Sequence, residues 1–450
     1  MKPTRLGDMA AAVGGKLRPE EAFAVFVNGV SIDSRRLAPG DVFFALVAER
    51  DGHDFLDSAI ESGAAAAVVS RDIESSIPLI RVSDTLKALE RLAAKYRKSF
   101  DGDVIAITGS LGKTTTREAI AGVLKSEFEV ARSRRNFNNL IGLPLSILNM
   151  ESYHDIAILE LGINLPGEMD ILAKTAAPDF AVITNIAPVH LQGLRCLEKI
   201  AAEKLKLLDY IRGRGKAFLN ADDEILSGKA AEIPSVTFGF DSSADFRITD
   251  FEQFPGGGIK AAVNGTEFSM PLSGSGAAYA AAAAWALGEE YGIEPGAIRK
   301  SLSQFEGFEG RMQLLEFGKI RVIADTYNSS PLAVQSALKT LDGMEADRRI
   351  AVLGDMLELG PEEMRYHREM GRSSAESDAD ILIYFGDLSR AAYDESVAAR
   401  GSAEDIFWSE DYEELAVILD DMILPGDLIL LKGSRGMTME RFLKVMEKRI

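Results

Sequence analysis

The stretch Thr108-Gly109-Ser110-Leu111-Gly112-Lys113-Thr114-Thr115 limits what this chain can become more than any other. It follows the apolar run Val104-Ile105-Ala106-Ile107 and precedes a helical pattern opening near Thr116. A strand, a glycine loop and a helix in that order make a phosphate cradle. The glycines let the backbone turn back and leave N–H groups pointing inward, and the helix N-terminus adds positive potential. Lys113 then reaches the outer phosphates, and the Thr114 hydroxyl is placed to hold Mg²⁺. Against the full pattern G-x-x-x-x-G-K-[ST] there is one miss, Ile107 at the first glycine position. A plain glycine turn has no need of the Lys-Thr pair, so the phosphate reading is preferred.

The surrounding pattern predicts an α/β protein of three domains. At 450 residues the chain exceeds what one hydrophobic core organises. Residues 1–98 alternate short strand and helix patterns, with a helix from Asp84 to Lys98, and read as a small N-terminal α/β domain. Residues 99–312 carry near-continuous apolar strands, Val104 to Ile107, Asp155 to Glu160 and Phe180 to Thr184, separated by helices, which implies a parallel sheet covered on both faces. Ligands gather at the carboxyl ends of such strands, where Glu160, Asn185 and, slightly later, His190 fall. From Ser235 to Met270 the period shortens and Gly256-Gly257-Gly258 interrupts it, so an antiparallel insertion or edge is expected before the Ala-rich helix. Residues 313–450 repeat the strand-helix alternation as a Rossmann-like domain, with loops starting at Asp325, Gly354 and Lys432 on its ligand edge. It lacks a G-x-G-x-x-G after a strand, the fingerprint of dinucleotide binding.

Composition removes several classes of function. A formal charge of −19 argues against a nucleic-acid or anionic-membrane partner, since both need a net basic face. The single cysteine, Cys196, excludes an internal disulfide and a multi-cysteine metal site. The opening Met1-Lys2-Pro3-Thr4-Arg5-Leu6-Gly7-Asp8 lacks the apolar core of a secretory signal, and Ala277 to Leu287 is too short to span a bilayer. A cytoplasmic protein without an integral membrane segment is expected.

Together these stretches resemble the Mur ligase family over nearly the whole chain. Thr108 to Thr115 is similar to its ATP loop, Asn136-Phe137-Asn138-Asn139-Leu140-Ile141-Gly142-Leu143-Pro144 to the loop that follows, and Glu160-Leu161-Gly162 to its metal-binding strand end. Within the family, Val352 to Gly360 and Lys432 to Glu440 resemble the member that adds D-alanyl-D-alanine. The resemblance implies an ATP-dependent amide ligase that joins UDP-N-acetylmuramoyl-tripeptide to D-alanyl-D-alanine through an acyl phosphate, in the synthesis of peptidoglycan precursors. The N-terminal domain would bind the UDP-sugar through Ser34, Arg35, Asp51 and His53. The central P-loop domain would bind ATP through Thr108, Gly109, Ser110, Leu111, Gly112, Lys113, Thr114, Thr115 and Asn138. The third domain would bring the dipeptide. A monomer is expected.

The chemistry explains these residue types. A carboxylate is a poor acyl donor, so ATP must first convert it to an acyl phosphate, and two anions have to approach one another. Lys113 and a Mg²⁺ held by Thr114 would offset the charge on the transferring phosphoryl group. Glu160 and His190 resemble the family's ligands for a second Mg²⁺. Lys204 resembles the lysine these ligases carbamylate with CO₂, which would add a further anionic ligand. Arg311 and Asp325 resemble the nucleotide-side pair at the domain junction, and Asn328, Asp355, Leu357, Lys432, Ser434 and Arg435 are expected on the dipeptide side, with Lys432 or Arg435 facing its carboxylate.

One departure stands out. Where relatives usually carry a histidine and two asparagines, this chain has Leu272-Ser273-Gly274-Ser275-Gly276-Ala277-Ala278-Tyr279-Ala280, and Ser330 stands where an asparagine is common. Side-chain hydrogen bonds to adenine from that stretch are lost. The competing readings are a sister ligase adding the third peptide residue, a folylpolyglutamate-synthase-like ligase and a non-ligating ATPase switch. The two C-terminal stretches speak against the first two. The chain lacks a guanine-reading N-K-x-D loop, which disfavours a GTPase switch.

Overall fold

The computed structural model describes residues 1–134 and 136–448. Three sheets of five, nine and six strands carry the chain, with a short two-stranded ribbon, Thr4–Arg5 against Phe26–Val27, beside the first. Positions 449 and 450 of the expected third domain lie outside the described residues.

The first sheet runs in the order Lys16–Arg18, Leu79–Arg81, Ala66–Val69, Val42–Phe44, Val30–Ser31, antiparallel only at its first pair. The helix Thr85–Lys98 follows it. Asp84 caps that helix by accepting from the Lys87 N–H at 3.0 Å, which satisfies one of its orphan donors. At its far end the buried Arg97 donates to the carbonyls of Ala176 (2.9 Å) and Ala177 (3.0 Å) and to Asp179 (2.8 Å). A guanidinium so enclosed pins the helix to the central domain, and burial pushes its pKa down to about 10.

The central nine-stranded sheet places Asp103–Thr108 between Ile156–Glu160 and Phe180–Ile183, both parallel to it. These strands are buried along nearly their whole length, as continuous apolar runs require. The helix after the glycine loop spans Lys113–Leu124, beginning earlier than the apolar periodicity alone suggests. The Ala-rich helix is Ser275–Glu290, and its small side chains from Ala280 to Ala284 are wholly buried, so it lies close against Lys113–Leu124.

The expected antiparallel segment starts later than Ser235. Ser235–Gly239 and Phe246–Gln253 continue the parallel order, and the direction reverses only at Ile259–Val263 and Thr266–Met270. The reversal sits at Gly257 and Gly258, whose φ values of 95° and 90° suit glycine. The third sheet runs Gln313–Phe317, Ile320–Asp325, Asp427–Lys432, Arg348–Gly354, Ile381–Phe385, Ile406–Ser409, parallel except at its first pair. Its first and last strands were not expected from sequence. Among the described residues no helix is long and apolar enough to cross a membrane.

Candidate active site

The carboxyl ends of the second and third sheets open onto one cavity of about 400 Å³. One side is made by Ser110 to Thr115, Glu160 and His190, the other by Asp325, Asn328, Leu357 to Leu359 and Lys432, and the start of the Ala-rich helix closes an end with Gly276 and Ala277. The glycine loop therefore faces an interdomain cleft.

The loop is held from behind. A Cβ on Gly109 would meet the Thr184 Oγ1 at 1.9 Å, so only glycine fits there. The Ser110 and Leu111 N–H groups donate to the Asn185 carbonyl (3.0 Å) and side-chain Oδ1 (2.8 Å), and the Ser110 hydroxyl donates to the Ala187 carbonyl at 2.9 Å. Thr108, expected on the ATP loop, is fully buried and donates to the Leu161 carbonyl at 2.9 Å. It anchors the loop and does not line the cavity. The Lys113 ammonium folds back onto the Gly109 carbonyl at 2.8 Å, and its surroundings push its pKa down, chiefly by desolvation and against the pull of Glu160.

Glu160 is the hub of the central side. It is 2% exposed and accepts from the Thr114 hydroxyl (3.0 Å), Arg117 (3.0 Å) and Asn138 (2.9 Å). Arg117, also buried, bridges to Glu118 at 2.8 Å, and Glu118 pairs with Arg132 at 3.0 Å. Sequence reasoning missed Arg117. The available signal was its place four residues after Lys113, one turn along the same helix face. Among the described residues no group of three or more His, Cys, Asp and Glu side chains gathers into a metal cluster. The Thr114 hydroxyl touching a strand-end carboxylate still suits Mg²⁺, which takes one or two carboxylates and completes its octahedron with phosphate and water oxygens.

Lys204 is buried outside the cavity lining and donates to the Gly109 carbonyl at 3.0 Å, the same oxygen that Lys113 reaches. Burial and the nearby Lys113 charge hold its pKa well below the ordinary lysine value. His190 lines the cavity, and its Nδ1 lies 2.6 Å from the Glu358 carboxylate of the third domain.

On the third-domain side several expectations need correction. Arg311 and Asp325, expected on the nucleotide side, both line the cavity but are held by different partners. Asp325 forms an ion pair with Lys432 at 2.5 Å and accepts from the Met312 N–H at 3.3 Å, whereas Arg311 stacks on the Tyr327 ring at 4.1 Å. Lys432, also bound to the Asn328 carbonyl at 3.0 Å, has its charge already matched. Asp355 turns away from the cavity and accepts from the Ser389 N–H (2.7 Å) and hydroxyl (2.6 Å) at the start of the helix Arg390–Arg400. Ser434 is buried and accepts from the Leu357 N–H at 2.8 Å, and the exposed Arg435 pairs with Glu440 at 2.9 Å. Asn328 and Leu357 do line the cavity.

The four N-terminal residues Ser34, Arg35, Asp51 and His53 lie outside this lining. His53 is buried. Its Nδ1 meets Asp51 at 2.5 Å and its Nε2 accepts from the Ser70 N–H at 2.9 Å, so both ring nitrogens are used inside the domain and the imidazole shapes the loop instead of offering a donor. Ser34 is buried too, whereas Arg35 is exposed and bound to Asp33 at 2.9 Å.

Three family models cover this architecture: the Mur ligase family catalytic domain over residues 26–97, the Mur ligase middle domain over 107–288 and the Mur ligase glutamate ligase domain over 310–435. A UDP-N-acetylmuramoyl-tripeptide–D-alanyl-D-alanine ligase of Bacillus subtilis is 34% identical over 97% of both chains. The chain belongs to the Mur ligase family. This Mur ligase superimposes on a crystal structure of MurF from Acinetobacter baumannii with a TM-score of 0.90, at 27% identity over 99% of each chain. It also matches MurF from Thermotoga maritima in complex with ADP, with a TM-score of 0.84 at 28% identity, over 94% of this chain and 98% of that one. The three-domain α/β architecture is thus the family's, and this Mur ligase is an ATP-dependent ligase.

Proposed function

We propose that this Mur ligase joins the terminal carboxylate of UDP-N-acetylmuramoyl-tripeptide to the amine of D-alanyl-D-alanine, with conversion of ATP to ADP and phosphate, in peptidoglycan precursor synthesis. What carries the reading is the single cavity shared by Lys113, Thr114 and Glu160 with the loops of the third domain, together with end-to-end similarity to ligases of that name.

In the first step a carboxylate oxygen of the tripeptide forms a bond to the γ-phosphorus as the bond to ADP breaks. In the second, the dipeptide amine adds to the acyl carbon, inorganic phosphate leaves and the amine's extra proton is lost. Lys113 and the N–H groups at the start of the helix Lys113–Leu124 offset charge on the transferring phosphoryl group. Thr114 and Glu160, with His190 nearby on the lining, would hold Mg²⁺, which when bound supplies charge neutralisation and alignment of the reacting oxygens. Arg117 and Asn138 keep the Glu160 carboxylate fixed. Closure of the third domain over the loop keeps water from the acyl phosphate.

Lys204 carries the carbamylation reading on its own chemistry. CO₂ adds to an unprotonated amine, and both burial and the Lys113 charge favour that form. Native mass spectrometry of protein kept under CO₂ would show the added carbamate and lose it in Lys204→Ala.

The deciding experiment is mass spectrometry of products from ATP, UDP-tripeptide and D-alanyl-D-alanine, with phosphate release followed in parallel. Ligated UDP-pentapeptide and phosphate release that needs both co-substrates are expected. Phosphate release indifferent to the dipeptide would make the chain an ATPase switch.

A further inference from the structure

The contact between His190 and Glu358 joins two domains and has no part in the chemistry described so far. His190 follows a central-sheet strand, and Glu358 lies in the loop after the third-sheet strand Arg348–Gly354. Both residues take left-handed backbone conformations, φ 53° and 66°, which non-glycine residues adopt at a cost. The loops are tied again by the Gln192 N–H donating to the Glu358 carbonyl at 3.1 Å, and Gly360 packs so near that a Cβ there would meet the Gln192 Cα at 3.2 Å. Two strained residues, a backbone bond and a close glycine approach all converge on placing one carboxylate against one imidazole nitrogen.

A carboxylate only accepts, so the proton between Glu358 and His190 belongs to Nδ1. A neutral imidazole has one N–H, and spending it on Glu358 leaves the lone pair on Nε2. Among the described residues Nε2 meets no hydrogen-bond partner, while the side chain lines the cavity.

We propose that Glu358 is a positioning residue for the ligase reaction: from the third domain it fixes the central domain's His190 as the Nδ1–H tautomer and presents Nε2 to the cavity. Because the acceptor belongs to the other domain, the ring is oriented this way only when the third domain is docked. Arrival of the dipeptide-side domain and completion of the phosphate-side donor set are then one event. The inference rests on the function proposed above for its catalytic consequence, not for the tautomer itself.

The test uses the full chain labelled with ¹⁵N-histidine. The sequence has four histidines, and His190 is assigned by the signal that His190→Gln removes. At a pH above the imidazole range the wild type is expected to show His190 as Nδ1–H. Glu358→Ala should lose that signature and lower kcat about 10- to 100-fold, the usual effect of removing such an outer partner, with little change in KM for ATP. Glu358→Gln, which keeps an accepting oxygen, should restore the tautomer and most of kcat. An unchanged tautomer in Glu358→Ala, an unchanged kcat, or a glutamine variant no better than alanine overturns the proposal. The tautomer is read without substrates, so failure of the wild type to ligate would count against the proposed function and leave the spectroscopic result to decide this one.

Discussion

The Lys432 ammonium is paired with the Asp325 carboxylate from directly opposite positions on two parallel strands, and Lys432 is 1% exposed. A buried pair adds little net stability, but removing one partner strands the other charge. Lys432→Met should therefore destabilise the protein by about 3 kcal/mol. The double variant Lys432→Met, Asp325→Asn should recover much of that. Urea unfolding of the four proteins in the cycle checks both statements, and additive losses would deny the coupling.

Lys113 lines the cavity at the start of the helix after the glycine loop, and under the proposed function Lys113→Ala removes the cation expected to meet the triphosphate. Loss of an oxyanion-type donor costs about 3 kcal/mol or more of transition-state stabilisation, or roughly 10²–10³ in kcat. Phosphate release under saturating substrates is the measurement, and near-normal turnover would remove Lys113 from its assigned role.

Discrimination between bases should be weak. The end of the cavity near the Ala-rich helix presents Leu272, Ser273, Gly274, Gly276 and Ala277, and the Ser273 hydroxyl already accepts from the Gly258 N–H at 2.9 Å. Sites that hydrogen-bond a substrate reject analogues by about 10⁴ or more, and pockets without such bonds by about 10². Inosine triphosphate and GTP are expected to support turnover within about 10² of ATP. Turnover with ATP alone would show that adenine is read by other groups.

Acid should loosen the loop that carries Leu357 and Glu358. His367 is buried, its Nε2 accepts from the Met356 N–H at 3.0 Å, and its Nδ1 meets the Glu363 carbonyl at 2.7 Å. Burial lowers its pKa from the usual 6.5. The unfolded chain then takes up the proton first, so this contribution is complete above about pH 6.5 and declines as pH falls towards the lower folded value. Thermal unfolding from pH 8 to 5 should show wild type losing stability faster than His367→Gln. Parallel pH profiles would contradict it.

The phosphate loop was legible because its information is local. Gly109, Gly112, Lys113 and Thr114 are fixed by one turn between a strand and a helix, and the apolar strands around it announce a parallel sheet. Glu160 was legible for the same reason, as the polar residue that ends an apolar strand. Asp355 directly follows such a strand, and there the side chain turns away from the cavity, because its carboxylate accepts from Ser389 at the start of the neighbouring helix. Strand-end position alone does not say which way a side chain turns. Arg117 was hidden because a charged residue in a helix looks solvated until its neighbours Glu118 and Glu160 are in place.

What the sequence by itself determined was the order of strands and helices, the phosphate loop and the family, since each depends on residues adjacent in the chain. The tertiary structure alone decided the partners: Lys432 with Asp325, His190 with Glu358, and Arg117 with Glu160, separated by 107, 168 and 43 positions. Hydrogen bonding and charge pairing act through space over a few ångströms, and no local pattern encodes which distant carboxylate the packing brings to a given donor.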